Sequence, residues 1–346
     1  MSHPSADSYD VIVVGAGPAG SVAACELGNE FDVLLIDRGD LPQNKPCGGL
    51  LCEESIEIVK DWEGVGQSLT SPSCVKLGYL DFDNRKTIRT DREFWNIDRR
   101  TFSSWLLNRL PKRVTVLPRS VLRDVDVTGD GVEVVIEGES SRRLRATYLI
   151  GADGTTSTVR RAVSHAPTRR SALYQVLVEG GSEQVRDRTW FVFDSSITRH
   201  YAWVIPKEGH TLVGTTLDGK DKGIIDTLVA KVAAELKTST RVLASEAHPA
   251  TLIDSPEELV PGAGNILLLG EAAGFISPSS FEGISYALES ALAVAQAIRA
   301  QPASPVDAYR HLCEPIYRRL AGQVDKSRVV FDKENRGKYW SSLSNA

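Results

Sequence analysis

Residues 45–49 read KPCGG, a thiol set between a proline and two glycines. Cys47 is the side chain of the PCGG turn able to give up a proton, and an ordinary thiol pKa of ~8.5 keeps such a group mostly protonated at neutral pH. That suits a proton donor better than a nucleophile. The other reading is structural: Gly48 and Gly49 supply backbone freedom while Cys47 packs as a small hydrophobe. Three acids invite a different chemistry. Asp37 ends the apolar run VLLID, Asp153 stands in LIGADG, and Glu271 stands in LLLGEAAG. A carboxylate at the end of a buried strand can accept hydrogen bonds from ribose hydroxyls. Lys45 and Lys207 could attract phosphate groups, although single lysines more often stand in solvent.

These groups need a scaffold, and the chain around them supplies one. VIVV (11–14) and VLLID (33–37) are continuous apolar runs joined by a helix over 18–27, the pattern of parallel strands covered on both faces. Between strand and helix lies GAGPAG, Gly15 to Gly20, which fits GxGxxG. Gly15 permits the tight turn, Gly17 lets the backbone approach a pyrophosphate, and Gly20 lets helix and strand pack closely. The helix N-terminus then offers unsatisfied N–H groups to phosphates. With Asp37 at the end of the second strand, this is a dinucleotide-binding βαβ unit. The two later acid-bearing turns suggest a ligand longer than one nucleotide pocket needs.

Further on, IDRRTFSSWLLNRL (97–110) has helical spacing, and short strands are expected at 114–117, 120–127, 132–137 and 143–150. Thr128-Gly129-Asp130-Gly131 predicts a hairpin inside a β-meander. TWFVFD (189–194), HYAWVIP (200–206) and TLVGTTL (211–217) read as strands, followed by a helix over about 223–236, a strand at 265–270, and two helices over roughly 282–299 and 305–331. In YAWVIPK, Tyr201, Trp203 and Ile205 alternate, as in a half-buried strand or the wall of an apolar pocket. The fold class is mixed α/β (α+β): a Rossmann-like domain with a β-meander over 1–71, 101–167 and 250–346, interrupted by a substrate domain over 72–100 and 168–249.

Composition narrows the partners. The 346 residues carry a net charge of -5 with arginine pairs scattered along the chain, so no footprint for nucleic acid is visible. Five cysteines form no CxxC pair and no histidine cluster has metal spacing, which predicts reduced thiols and no metal. The polar N-terminus lacks the apolar core of a signal peptide, and the apolar helix over 284–298 is interrupted by Glu289 and too short to span a bilayer. A cytoplasmic protein is expected, with peripheral membrane contact open and the oligomeric state not legible.

GAGPAG, GADG and GEAAG, in this order and at these distances, resemble the three FAD-contacting motifs of the p-hydroxybenzoate hydroxylase-like flavoproteins, over nearly the whole chain. The resemblance implies that the first motif, Ala19 included, holds the pyrophosphate, and that Gly270 and Glu271 hold the ribityl chain. It also implies that Arg99 reaches the phosphate region, and it places Arg38, Leu122, Asp153, Gly154 and Pro278 at the cofactor. Glu271 stands where that family usually has Asp, one methylene shorter.

KPCGG, YAWVIPK and GEAAGFISPSSFEGISYAL are more similar to the geranylgeranyl reductase group, with its PCGG(G) segment, YxWxFP motif and GxGI-like turn; here Ile205 replaces the phenylalanine. This narrower resemblance sets Cys47, Gly48 and Gly49 beside the flavin and turns the backbone of Gly283 and Ile284 toward its pyrimidine edge. The positive end of the helix beginning there could stabilise charge on reduced flavin. The implied activity passes hydride from NAD(P)H, or another donor, through FAD to an apolar unsaturated, isoprenoid-like small molecule, with Cys47, Tyr201 and Trp203 as catalytic candidates. Two alternatives stand beside it. One is a monooxygenase or halogenase acting on an aromatic or polyketide-like substrate, although the WxWxIP pattern of halogenases begins here with Tyr201. The other is a flavin-carrying binding protein for prenyl lipids or quinones.

Overall fold

The computed structural model describes residues 7–129, 131–300 and 303–343. The N-terminal segment 1–6 and Asp130 of the expected hairpin turn lie outside the described residues. The chain opens with β1 (Asp7–Val14), α1 (Pro18–Leu27) and β2 (Val33–Ile36), followed by β3 (Leu50–Leu51), α2 (Glu53–Val59), and the long hairpin β4 (Leu69–Asp81) and β5 (Lys86–Ile97). Next come α3 (Arg99–Asn108), β6 (Thr115–Leu117), β7 (Val121–Val127), β8 (Val132–Glu137), β9 (Ser141–Gly151) and α4 (Thr158–Val163). Then follow β10 (Arg169–Val178), β11 (Arg188–Phe193), β12 (Ala202–Lys207), β13 (His210–Thr216), α5 (Ile224–Leu236) and β14 (Val242–Leu252). The chain returns through β15 (Gly262–Ala263), β16 (Ile266–Leu268), α6 (Ile284–Ala300), α7 (Pro305–Leu312), α8 (Glu314–Val330) and α9 (Lys333–Leu343).

Two sheets organise these elements. The first has the order β15-β16-β9-β1-β2-β6, with β7 and β8 joined to β9 as a meander. Its central strands are parallel, and Val11, Ile12, Val13 and all of β2 are fully buried because α1 and α6 cover the sheet. A Cβ on Gly20 would collide with the Gly15 carbonyl, so this glycine is fixed by the close packing of α1 on the turn.

The second sheet has the order β14-β10-β13-β12-β11-β4-β5-β3, antiparallel except between β11 and β4. Its two faces differ in chemistry because side chains alternate along each strand. Ala202 and Val204 of β12 join Val176, Val192 and Val213 under Leu228, Val229 and Val232 of α5. Tyr201, Trp203 and Ile205 face the other way, with Phe193, Leu212, Val330 and Trp340.

The C-terminal region departs from the sequence reading. The single helix expected over 305–331 is two, broken at Cys313, because Pro315 has no N–H to give and its ring would clash with the carbonyl four residues back. A further helix, α9, folds back onto the second sheet. Arg336, almost wholly buried, donates from Nε to Asp81 Oδ2 at 2.7 Å and from Nη2 to Asp83 at 2.7 Å, and Trp340 Nε1 donates to Asp81 at 2.9 Å. Burial pushes the Asp81 carboxyl up, but its bonds from Arg336, Asn84 and Trp340 win and hold it below the usual range. The aromatic face of the second sheet is therefore roofed by α8 and α9, which bring Val330 and Trp340 onto it.

Candidate functional site

A cavity of about 440 Å³ runs between the two sheets. Its walls include Gly15, Gly17, Ala19, Asp37, Arg38, Leu122, Asp153 and Gly154 at one end, and Arg99, Gly270 and Glu271 in the middle. Cys47, Gly48, Gly49, Tyr201, Trp203, Gly283 and Ile284 line the rest. Gly20 and Pro278 do not reach it: Gly20 is packed behind Gly15, and Pro278 is buried between the lining residues Ser277 and Ser279.

At the first end, α1 begins at Gly17 with no side chain capping it, so its first N–H groups have no side-chain acceptor. Nothing would meet a Cβ on Gly17 closer than Gln43 Oε1 at 4.0 Å, which leaves this backbone open to a ligand. Asp37 accepts N–H bonds from Ala16 at 2.7 Å and Gly39 at 2.8 Å, and a further bond from the Gln43 amide. The acid thus locks the glycine turn to the end of β2 while a carboxylate's remaining acceptor capacity stays available.

The other two acids fasten loops. Asp153 accepts from Ser157 Oγ at 2.5 Å and from the N–H groups of Thr158 and Val159, capping α4, and burial pushes its carboxyl up. Glu271 accepts from the Thr251 N–H at 2.8 Å and from Lys45 Nζ at 3.2 Å, joining its turn to β14 and to the KPCGG loop. Neither lysine stands alone in solvent. Lys207 is enclosed and donates to the carbonyls of Ile97 at 2.8 Å and Gly49 at 3.4 Å and to the Asn96 side chain; burial pulls its pKa down to about 8. Lys207 is a strut for the PCGG turn, not a phosphate ligand.

Within that turn the Gly49 N–H donates to Cys47 Sγ at 3.3 Å, so the sulfur is an acceptor in a tight backbone loop. The Tyr201 hydroxyl donates to the Ser280 carbonyl, tying the strand β12 to the turn before α6, and burial pushes this phenol well up. Trp203 Nε1 is buried without a partner among the described residues. Arg99 is buried, donates to Ser103 Oγ, and has no carboxylate within ion-pair distance among the described residues. A buried guanidinium facing a cavity without a counter-charge favours an anion there.

Sequence reading missed three contributors. His248, on β14, lines the cavity with Nε2 buried and unpartnered among the described residues. Burial first, then the charge of Lys45, pulls its pKa down to about 4 against the opposing pull of Glu271, with Arg38 and Arg99 adding to the fall. Glu282 was visible in FEGI, but only its neighbours' backbone was weighed. Trp340 carries no local signal because α9 reaches the site from the far end of the chain.

The His248 shift has a measurable consequence. The unfolded chain binds a proton near pH 6.5 while the folded site resists until about 4, so stability is lost progressively as pH falls through that window. Thermal melts of the wild type are expected to drop across it more steeply than those of His248→Gln; parallel curves would count against a buried neutral imidazole.

An uncapped helix N-terminus, an open glycine backbone, a buried arginine without a counter-charge and a long channel between two sheets fit FAD. The FAD binding domain model matches residues 8–323, and the chain belongs to this family of FAD-dependent oxidoreductases and monooxygenases. The fold is that of the p-hydroxybenzoate hydroxylase-like flavoproteins.

Among curated relatives, protein CbrA of Escherichia coli K12 is 31% identical over 334 residues, covering 94% of each chain. Among solved structures, a geranylgeranyl bacteriochlorophyll reductase-like protein from Thermoplasma acidophilum superposes with a TM-score of 0.81 at 20% identity, covering 96% of this chain and 90% of the other. The p-nitrophenol 4-monooxygenase PnpA of Pseudomonas putida gives 0.75 at 18% identity, covering 96% and 92%. At these identities the solved structures share the fold with this chain. No helix among the described residues is long and apolar enough to cross a membrane.

Proposed function

We propose that the protein is an FAD-dependent reductase of the geranylgeranyl reductase type, which transfers hydride to an apolar unsaturated, isoprenoid-like small molecule. The observation that carries this reading is the chamber beyond the PCGG turn. Tyr79, Phe191, Phe193, Tyr201, Trp203 and Trp340 enclose it under α8 and α9, and Leu77 and Phe94 extend it. Such a wall offers dispersion and desolvation, which suit an alkene chain.

Bound FAD would supply the hydride chemistry, with NAD(P)H as the proposed transient donor. The chain's own residues do the rest. Gly17, Ala19, Arg99 and the α1 N-terminus would hold the cofactor's phosphates, with Asp37 at the ribose. Lys207 and Asn96 brace the PCGG turn, which would then border the flavin. The aromatic wall excludes water and aligns the substrate, which is where the rate advantage of orientation arises.

The test is a single anaerobic turnover. Holoprotein reduced with NAD(P)H and mixed with a prenyl alcohol in the absence of O₂ is expected to return to the oxidised flavin spectrum. If reoxidation needs O₂ and is accelerated by substrate, the oxygenase reading takes its place. Tight prenyl binding with no reoxidation would leave a carrier.

A further inference from the structure

The turn before α6 holds a carboxyl that the reading above does not use. Glu282 lies deep in the protein, yet keeps part of its surface open to the cavity it lines. Its own carbonyl accepts the Ser277 N–H at 2.8 Å, which fixes the turn. Phe281, beside it, adopts φ 52°, a left-handed conformation costly for a bulky side chain. Stacking on Tyr201 at 6.1 Å and an edge contact with His200 at 5.4 Å hold it there. The Ser277–Glu282 bond and the Phe281 contacts thus restrain the turn that presents Glu282 to the cavity.

The surroundings leave this carboxyl without a counter-ion. No Lys, Arg or His lies within ion-pair distance among the described residues. Arg319 of α8 faces it but is committed to both oxygens of Glu289, at 2.7 and 2.9 Å, and lies 4.5 Å over the Tyr286 ring. Glu54 of α2 repels a second negative charge. Cys52, Tyr201 and Tyr286 face it with groups that burial keeps protonated, and Cys47 lines the same cavity. Burial pushes the Glu282 carboxyl up, opposed by the Ser285 hydrogen bonds.

We propose that Glu282 is the proton donor of this site, a catalytic acid held at the N-terminus of α6 by Ser285. The inference rests on the reductase reading. The two electrons of the substrate's C=C π bond become one C–H bond with the proton from Glu282. The second C–H bond forms with the hydride and its electron pair from reduced flavin, which leaves oxidised. The O–H pair stays on Glu282, whose carboxylate regains a proton from water. The structure stabilises that carboxylate when it forms: Ser285 donates its N–H to Oε1 at 2.8 Å and its hydroxyl to Oε2 at 2.7 Å, at the positive end of α6. While the acid is protonated, the Ser285 hydroxyl can turn to accept from it.

Two measurements on the holoprotein test this. Infrared spectroscopy should show the carbonyl stretch of a protonated carboxylic acid that disappears in Glu282→Gln, whose amide keeps the shape and the bond from the Ser285 N–H. Anaerobic mixing of NAD(P)H-reduced protein with a prenyl alcohol should be slowed in Glu282→Gln by roughly 10²–10⁴-fold, the usual contribution of a general acid. The wild-type rate should fall as pH rises and the acid ionises, and the variant's profile should be flat there. Ser285→Ala, which keeps the acid itself in place, should shift that pH profile.

A missing carbonyl band, or equal rates and pH profiles in wild type and Glu282→Gln, overturns the proposal. Equal rates in Glu282→Gln with a large loss in Cys47→Ala also overturn it and give the proton to the thiol. Failure of the wild type itself to be reoxidised by the alkene instead sinks the reductase reading, and the delivery step with it.

Discussion

Gly49→Val is expected to leave the protein with little bound flavin after purification. Gly49 has φ 64°, a conformation that costs an L-residue roughly 1–2 kcal/mol, and more when the side chain is β-branched. A Cβ there would also collide with the Ile97 carbonyl and come within 2.7 Å of Lys207 Nζ. Both are backbone or buried strut atoms, so neither can step aside cheaply. The turn must move, and it moves into the cavity or away from it. The flavin-free turn relaxes by moving, so that binding must restore the strained conformation, which weakens it by about tenfold. The readout is flavin absorbance per chain, with the melting temperature followed separately to distinguish a displaced loop from a lost fold. Wild-type flavin content in Gly49→Val would mean that the PCGG turn does not border the cofactor.

The second large effect is on stability. Arg336→Ala should cost about 3–5 kcal/mol, because Asp81 is left as a buried carboxylate without its counter-charge. Denaturant unfolding measures it directly. The sign of the pH dependence follows from the paired state: Asp81 is held below its unfolded pKa, so the stabilisation is present above about pH 4 and is lost as pH falls through the folded value. In Arg336→Ala the unpaired acid has its pKa raised instead, so the deficit relative to wild type should shrink as pH is lowered. A loss under about 1 kcal/mol would show that α9 is docked by its apolar contacts and that the ion pair adds little.

These two sites also mark what can and cannot be seen from sequence. Gly49 stands out locally, since a double glycine after a cysteine and a proline signals a special backbone, although its φ and the Lys207 strut do not. The glycine turn at residues 15–20 and the terminal Asp37 were legible because their roles are set by neighbours within one βαβ unit. The alternation of Tyr201, Trp203 and Ile205 identified one face of a strand, but not that Ala202 and Val204 behind it are buried too, under α5. Asp81 and Arg336 lie 255 positions apart, and no periodicity links them. Helix α9 has weak amphipathic patterning and is kept in place by that pair and by Trp340. The buried state of Lys207 and the isolation of Glu282 depend in the same way on chain segments that meet only in the folded protein. Local rules read the glycine turn and its terminal acid; the aromatic chamber is made by long-range packing and so had to be observed.

The most direct test of the central claim is the mass of what leaves the site. After one anaerobic turnover of NAD(P)H-reduced holoprotein with a prenyl alcohol, the extracted product is weighed by mass spectrometry. The account predicts a substrate that has gained two hydrogens, one of them from deuterated solvent when the reaction is run in D₂O. An unchanged substrate under these conditions, or one that gains an oxygen atom when air is admitted, would contradict it.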